Sequence, residues 1–280
     1  FPGDNFLPLT VVGSPFLRRG LSLSLGLEYS KNGLVGVLTP QANTTVEPEF
    51  RVLWPKNVGM INARMISNKN TIADRLLDYV DQIESTLNRF ANAPVDAVAF
   101  GCTGASYLIG REKEKEICDN IKDKRGYPFV TAARAVTDTF EVLSAKKIGL
   151  VSPYPGDLTE QSVGYWESAG YEVAEVASSY NQESNFHPIY SLSAENAFEC
   201  IQLLENKNLD AIVMLGTGMP TLSPLVRLSN WSGPPVTSCM LSLAWRTVMH
   251  ISDTQPNADN LKDWLSGNEW RDRMNLLYDI

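Results

Sequence analysis

Val95-Asp96-Ala97-Val98-Ala99-Phe100-Gly101-Cys102-Thr103-Gly104 and Leu209-Asp210-Ala211-Ile212-Val213-Met214-Leu215-Gly216-Thr217-Gly218 are two versions of one segment, 114 residues apart. Each is an aliphatic residue, an aspartate, four apolar residues and a turn ending in Thr-Gly. A short apolar run closed by a turn reads as a buried strand of a parallel sheet. Two more pairs repeat in the same order: Val35–Pro40 with Ile148–Pro153, and Phe129-Val130-Thr131-Ala132 with Pro235-Val236-Thr237-Ser238. The two copies differ most at one place, where Cys102 corresponds to Gly216.

Between these strands the apolar period changes from two to about 3.6. Ile72, Leu76, Val80, Ile83, Leu87 and Phe90 lie on one face of a helix that Asn70 could cap. Further helices are expected from Ala105 to Ile121, around Val136–Leu143, at Gln161–Ser168, Ala194–Leu204 and Leu241–Met249, and as one terminal helix over Leu261–Leu277. The fold predicted is α/β: two pseudo-symmetric doubly wound domains with parallel sheets, related by duplication. Expected boundaries are an irregular N-terminal extension over residues 1–31, a first domain over 32–131 plus 235–280, and a second over 132–234.

The chain has 280 residues, 44% hydrophobic and 20% charged, with a net charge of −8, which argues against nucleic acid or an anionic membrane as partner. No stretch approaches the ~18 consecutive apolar residues of a membrane span. Phe1 to Leu17 is broken by prolines and glycines and lacks the pattern of a signal peptide, so a cytoplasmic protein is expected. The four cysteines (102, 118, 200 and 239) form no CxxC pair, and His187 and His250 are the only imidazoles. That inventory argues against a metal site, a Cys-His relay and a Ser-His-Asp relay.

In open parallel sheets ligands bind beyond the carboxyl ends of the strands. A cleft between the halves should therefore collect the turns 40–43, 102–104, 153–154, 216–218 and 237–239. Cys102 begins a helix, where free amides and the helix dipole favour a thiolate and cradle a carboxylate. A strand-end turn of Gly-Cys-Thr-Gly is also expected to be exposed. Cys118 and Cys200 sit among apolar helical residues and read as core, whereas Cys239 ends a strand and is a secondary candidate for the cleft, as is Pro40. Gly216-Thr217-Gly218 lacks the third glycine and the acidic residue of a dinucleotide fingerprint; its glycines fit close approach of a small ligand to backbone amides.

The segments Leu38–Glu47, Gly101-Cys102-Thr103-Gly104, Val151-Ser152-Pro153-Tyr154, Asn185-Phe186 and Gly216-Thr217-Gly218, in this order, resemble the aspartate/glutamate racemase superfamily. Within it, the chain looks most like the branch of maleate cis-trans isomerases and arylmalonate decarboxylases, over roughly residues 32–250. The resemblance implies a cofactor-free enzyme working at the carbon next to a carboxylate. It implies that Asn43, Tyr154 and Asn185 hold substrate carboxylates. Thr103, Gly104, Gly216, Thr217 and Gly218 would bind and stabilise an enediolate. The racemases and isomerases of this superfamily use two cysteines and the decarboxylases only the second-half one; this chain keeps the first alone.

A single thiol can service one face of a substrate, which disfavours two-base racemisation. The leading expectation is a decarboxylase or other lyase in which Cys102 donates a proton to an enediolate. The alternatives are a maleate-type cis-trans isomerase with Cys102 as nucleophile, or a carboxylate-binding protein without catalysis. All three expect a small carboxylate or dicarboxylate ligand, no cofactor and no metal. Dimers are common in the superfamily, so the resemblance also suggests a homodimer.

Overall fold

The computed structural model describes residues 26–180 and 187–278. Its strands are β1 (Gly33–Pro40), β2 (Val58–Met65), β3 (Ala97–Phe100), β4 (Phe129–Thr131), β5 (Lys147–Ser152), β6 (Glu172–Ser178), β7 (Ala211–Met214) and β8 (Val236–Ser238). The helices of the first half are α1 (Val46–Leu53), α2 (Ile72–Asp81), α3 (Ile83–Leu87), α4 (Thr103–Arg125) and α5 (Ala132–Leu143). Those that follow are α6 (Gly156–Ser168), α7 (Ala194–Leu204), α8 (Leu222–Arg227), α9 (Cys239–Ile251), α10 (Ala258–Ser266) and α11 (Arg271–Leu277).

The strands form two four-stranded parallel sheets, ordered β2-β1-β3-β4 and β6-β5-β7-β8. The order is the same in each, so the repeated sequence segments occupy equivalent places. Val35 pairs with Ala97 in the first sheet as Ile148 pairs with Ala211 in the second. Every residue of β1, β3 and β7 is buried, which explains why these strands read as continuous apolar runs rather than alternating ones. The edge strand β2 is only partly buried and carries Asn62 and Arg64, so it gave no such signal; it and α1 were not anticipated.

Helix starts follow side-chain capping. Thr71 accepts from the Asp74 amide, Thr131 from that of Arg134, and Ser238 from that of Leu241. The cap of α2 is thus Thr71 rather than Asn70, and its helix breaks at Gln82 before α3 continues the apolar stripe. The expected single terminal helix is two, α10 and α11, because Gly267 closes α10 with a left-handed φ of 81°.

The halves meet along α5 and α9, the helices that follow β4 and β8. Thr139 Oγ1 lies 3.0 Å from Ser242 Oγ, and Arg246 pairs with Asp138. A cluster of Tyr107, Tyr165 and Trp166 packs α4 against α6. Among the described residues no helix is long and apolar enough to cross a membrane.

Candidate active site

The carboxyl ends of β1, β3, β5 and β7 open onto one cavity between the halves. Pro40, Asn43, Cys102, Thr103, Gly104, Tyr154, Gly216, Thr217 and Gly218 all line it. The structure therefore brings together every described candidate except Cys239; Asn185 lies outside the described residues. Its volume is about 60 Å³ for water-molecule centres.

Cys102 stands at the N-cap position of α4 without a capping hydrogen bond, its sulfur near the Ala105 amide. That amide favours the thiolate, as the sequence suggested. Exposure, however, is only 4%, because the second half closes over the turn. Burial wins: it pushes the thiol up to about 12, the opposite of the expected lowering. Cys102 is a protonated thiol at neutral pH, enclosed rather than exposed.

Cys239 is wholly buried and stands behind the wall rather than in it. Burial raises its thiol to about 11, against the pull of the Thr103 hydroxyl, the Gly216 amide and the Tyr107 hydroxyl. Thr103 Oγ1 is buried on the cavity wall near the Cys239 thiol and the Tyr154 hydroxyl, with no hydrogen bond of full geometry among the described residues.

Three of the candidate groups join the halves as well as line the cavity. Asn43 Nδ2 donates to the Thr217 carbonyl (3.1 Å), while its Oδ1 accepts from the amides of Thr45 and Val46. Among the described residues the second amide hydrogen of Asn43 has no partner. The Thr217 hydroxyl donates to the Gly101 carbonyl (2.7 Å), so its proton is committed. A ligand carboxylate would have to be met at this turn by backbone amides. Thr45 Oγ1 adds a bond to the Gly218 carbonyl (2.8 Å).

Gly216 has a φ of 80° and lies against Tyr154. A Cβ at Gly218 would be 2.4 Å from the Tyr190 ring, so only glycine lets that ring close the cavity.

Four polar cavity residues lie outside the turns expected from the sequence: Arg75, Tyr79, His187 and Tyr190. Arg75 and Tyr79 share the α2 face with Ile72 and Leu76, and a charge inside an apolar stripe was the available signal. Arg75 makes no ion pair among the described residues, unlike Arg64, which pairs with Glu47. His187 stacks on Tyr190 at 4.0 Å, and its Nδ1 accepts from the amides of Ile189 and Tyr190. Burial and then Arg75 hold it down to about 4. With Nδ1 accepting from these amides, the neutral ring carries its hydrogen on Nε2. Among the described residues no group of His, Cys, Asp or Glu could hold a metal ion.

The family model for arylmalonate decarboxylase matches residues 35–261. A maleate isomerase of Geobacillus stearothermophilus is 23% identical over 250 residues, which cover 83% of this chain and 98% of the relative. The maleate isomerase Iso of Pseudomonas putida S16 superposes with a TM-score of 0.72 at 23% identity, over 84% of this chain and 98% of its own. A cysteine-to-serine variant of the Nocardia farcinica maleate cis-trans isomerase, solved with a covalently bound succinylcysteine intermediate, superposes with a TM-score of 0.67 at 20% identity, over 79% and 93%. With the family model spanning most of the chain and the paired sheets in place, this protein is an enzyme of the arylmalonate decarboxylase family, in the branch of the aspartate/glutamate racemase superfamily that also holds the maleate isomerases.

Proposed function

We propose that the protein is a cis-trans isomerase of a small unsaturated dicarboxylate such as maleate, with Cys102 as the nucleophile. The observation that carries this is two anion-binding groups lining one small cavity. They are the amides that open α4, beside the Thr103 hydroxyl, and the Arg75 guanidinium, which has no carboxylate partner among the described residues. Two anionic ends suit a diacid better than a monoacid. A cavity of about 60 Å³ for water-molecule centres accommodates a small ligand such as a four-carbon diacid.

In this reading the sulfur adds to one alkene carbon while the adjacent carboxylate becomes an enediolate held by the amides and Thr103. The double bond is then single, the carbon skeleton rotates, and expulsion of sulfur leaves the trans isomer. The curated relatives bear maleate isomerase names, so both they and the cavity favour this over the decarboxylase expectation. The gap opposite Cys102 had motivated that expectation, but the isomerase route asks for only one nucleophilic sulfur.

The test is conversion of maleate to fumarate, followed by loss of the cis substrate, alongside a 2-arylmalonate. Turnover of maleate and not of the arylmalonate is expected; the reverse would overturn the proposal. Arg75→Met should raise KM for maleate by roughly tenfold to a hundredfold with kcat retained, the cost of one charge-assisted contact. An unchanged KM would remove Arg75 from substrate binding.

A further inference from the structure

Addition of a thiol across a double bond needs a proton donor as well as a sulfur. The carbon next to the one attacked becomes electron-rich and must be protonated for a saturated adduct to form. Across the cavity from Cys102 the chain has Gly216, and Cys239 is sealed behind it with its sulfur facing the Gly216 amide. The site holds one accessible thiol and needs a second acid.

The space beside Gly216 identifies one. A side chain built at this position would begin 3.1 Å from Tyr154 Oη and 3.4 Å from Tyr154 Cζ. Gly216 is the pseudo-symmetric counterpart of Cys102, so the tyrosine hydroxyl stands where a second-half side chain would mirror the thiol. Tyr154 also lines the cavity and is itself buried. Its position is fixed on three sides. The Tyr154 amide donates to Ser152 Oγ, the Thr159 hydroxyl donates to the Tyr154 carbonyl, and the ring packs edge-on against Tyr107 at 6.0 Å.

We infer that Tyr154 is the acid–base catalyst opposite Cys102, its phenol doing the work of the missing second-half side chain; this rests on the isomerase reading above. Desolvation holds the phenol well above its ordinary value, so it enters the reaction protonated. In the forward step the C–S bond forms and the alkene electron pair moves onto the neighbouring carbon. Tyr154 gives that carbon its proton, and the proton released by the Cys102 thiol replaces it on the phenol oxygen. After rotation the same transfers run in reverse: the phenol oxygen returns its proton to the departing sulfur as it takes one from the same carbon, the C–S bond breaks and the double bond re-forms. Protons balance within the site, and nothing is oxidised or reduced. The role differs from carboxylate binding, which the resemblance implied for Tyr154 and which would act on KM.

The test compares wild type, Tyr154→Phe and Cys239→Ala with maleate as the probe. Tyr154→Phe removes one oxygen and keeps the ring, so its thermal midpoint should match wild type. The expected result is a kcat lower by roughly 10²–10⁴-fold with KM for maleate nearly unchanged. Acid-quenched wild type should carry a mass increase of one maleic acid on Cys102, and the phenylalanine variant should not. Maleate should still protect Cys102 of that variant from iodoacetamide. Cys239→Ala should keep its kcat.

A raised KM with kcat intact in Tyr154→Phe would overturn the inference and leave Tyr154 a binding residue. Loss of kcat in Cys239→Ala with Tyr154→Phe active would overturn it in favour of Cys239. In either case wild-type turnover leaves the isomerase reading standing. Wild type that neither turns over maleate nor forms the adduct overturns that reading and the inference together.

Discussion

Two influences oppose each other at the Cys102 sulfur. The opening amides of α4 favour the thiolate, and enclosure between the halves disfavours it; burial is the larger, leaving the thiol at about 12. The folded protein therefore holds this proton more tightly than an exposed cysteine does. Iodoacetamide labelling of Cys102 should rise about tenfold per pH unit from pH 8 to 11, where an activated cysteine would already have reached a plateau. A plateau at pH 7–8 would show that the amides prevail. Cys102 was legible in the sequence because the duplicated strand ends place it opposite Gly216. Its proton affinity was not, because burial depends on the other half of the chain closing over the turn. Arg75, His187 and Tyr190 escaped for the same reason: they reach the cavity by packing from α2 and the 187–190 segment, and no strand-end motif marks them.

At the scale of elements, α1 clamps the second-half turn through one buried carboxyl. Glu49 accepts from the Thr221 amide (2.5 Å), the Leu222 amide (3.3 Å) and the Thr221 hydroxyl (2.8 Å). These bonds favour the carboxylate, yet burial outweighs them and raises Glu49 from 4.5 to about 7. A raised carboxyl contributes stability that is complete below pH 4.5 and is lost as pH rises through 7, about 3 kcal/mol over that interval. Glu49→Gln keeps an acceptor for the two amides and does not titrate. Urea midpoints at pH 5 and 8 should show wild type losing stability relative to Glu49→Gln. An equal change in both proteins would rule out Glu49 as the titrating group. The repeated strands and most helices around this clamp were legible from apolar period and caps. α1 and β2 were not: β2 is a half-buried edge strand carrying polar residues, and the stripe of α1 is short and crossed by Glu49.

Across the whole molecule, the site is also the seam. Asn43, Thr45 and Glu49 of the first half bond to the 217–222 segment of the second, and Thr217 bonds back to Gly101. Behind them α5 and α9 pack together, tied by Thr139–Ser242 and Arg246–Asp138. The two sheets are expected to unfold as one unit, because opening the seam would expose both the buried latch and the apolar helix contact. A ligand seated in the cavity touches both halves and binds only when they are joined. Maleate at a hundred times its dissociation constant should add about 2.7 kcal/mol, moving a single calorimetric transition upward by several degrees. The Arg75→Met variant should unfold at the wild-type temperature without ligand and lose half of the shift or more at the same maleate concentration. Two resolved transitions in the free enzyme, with maleate moving only one, would mean that the halves fold independently and that the cavity belongs to one of them.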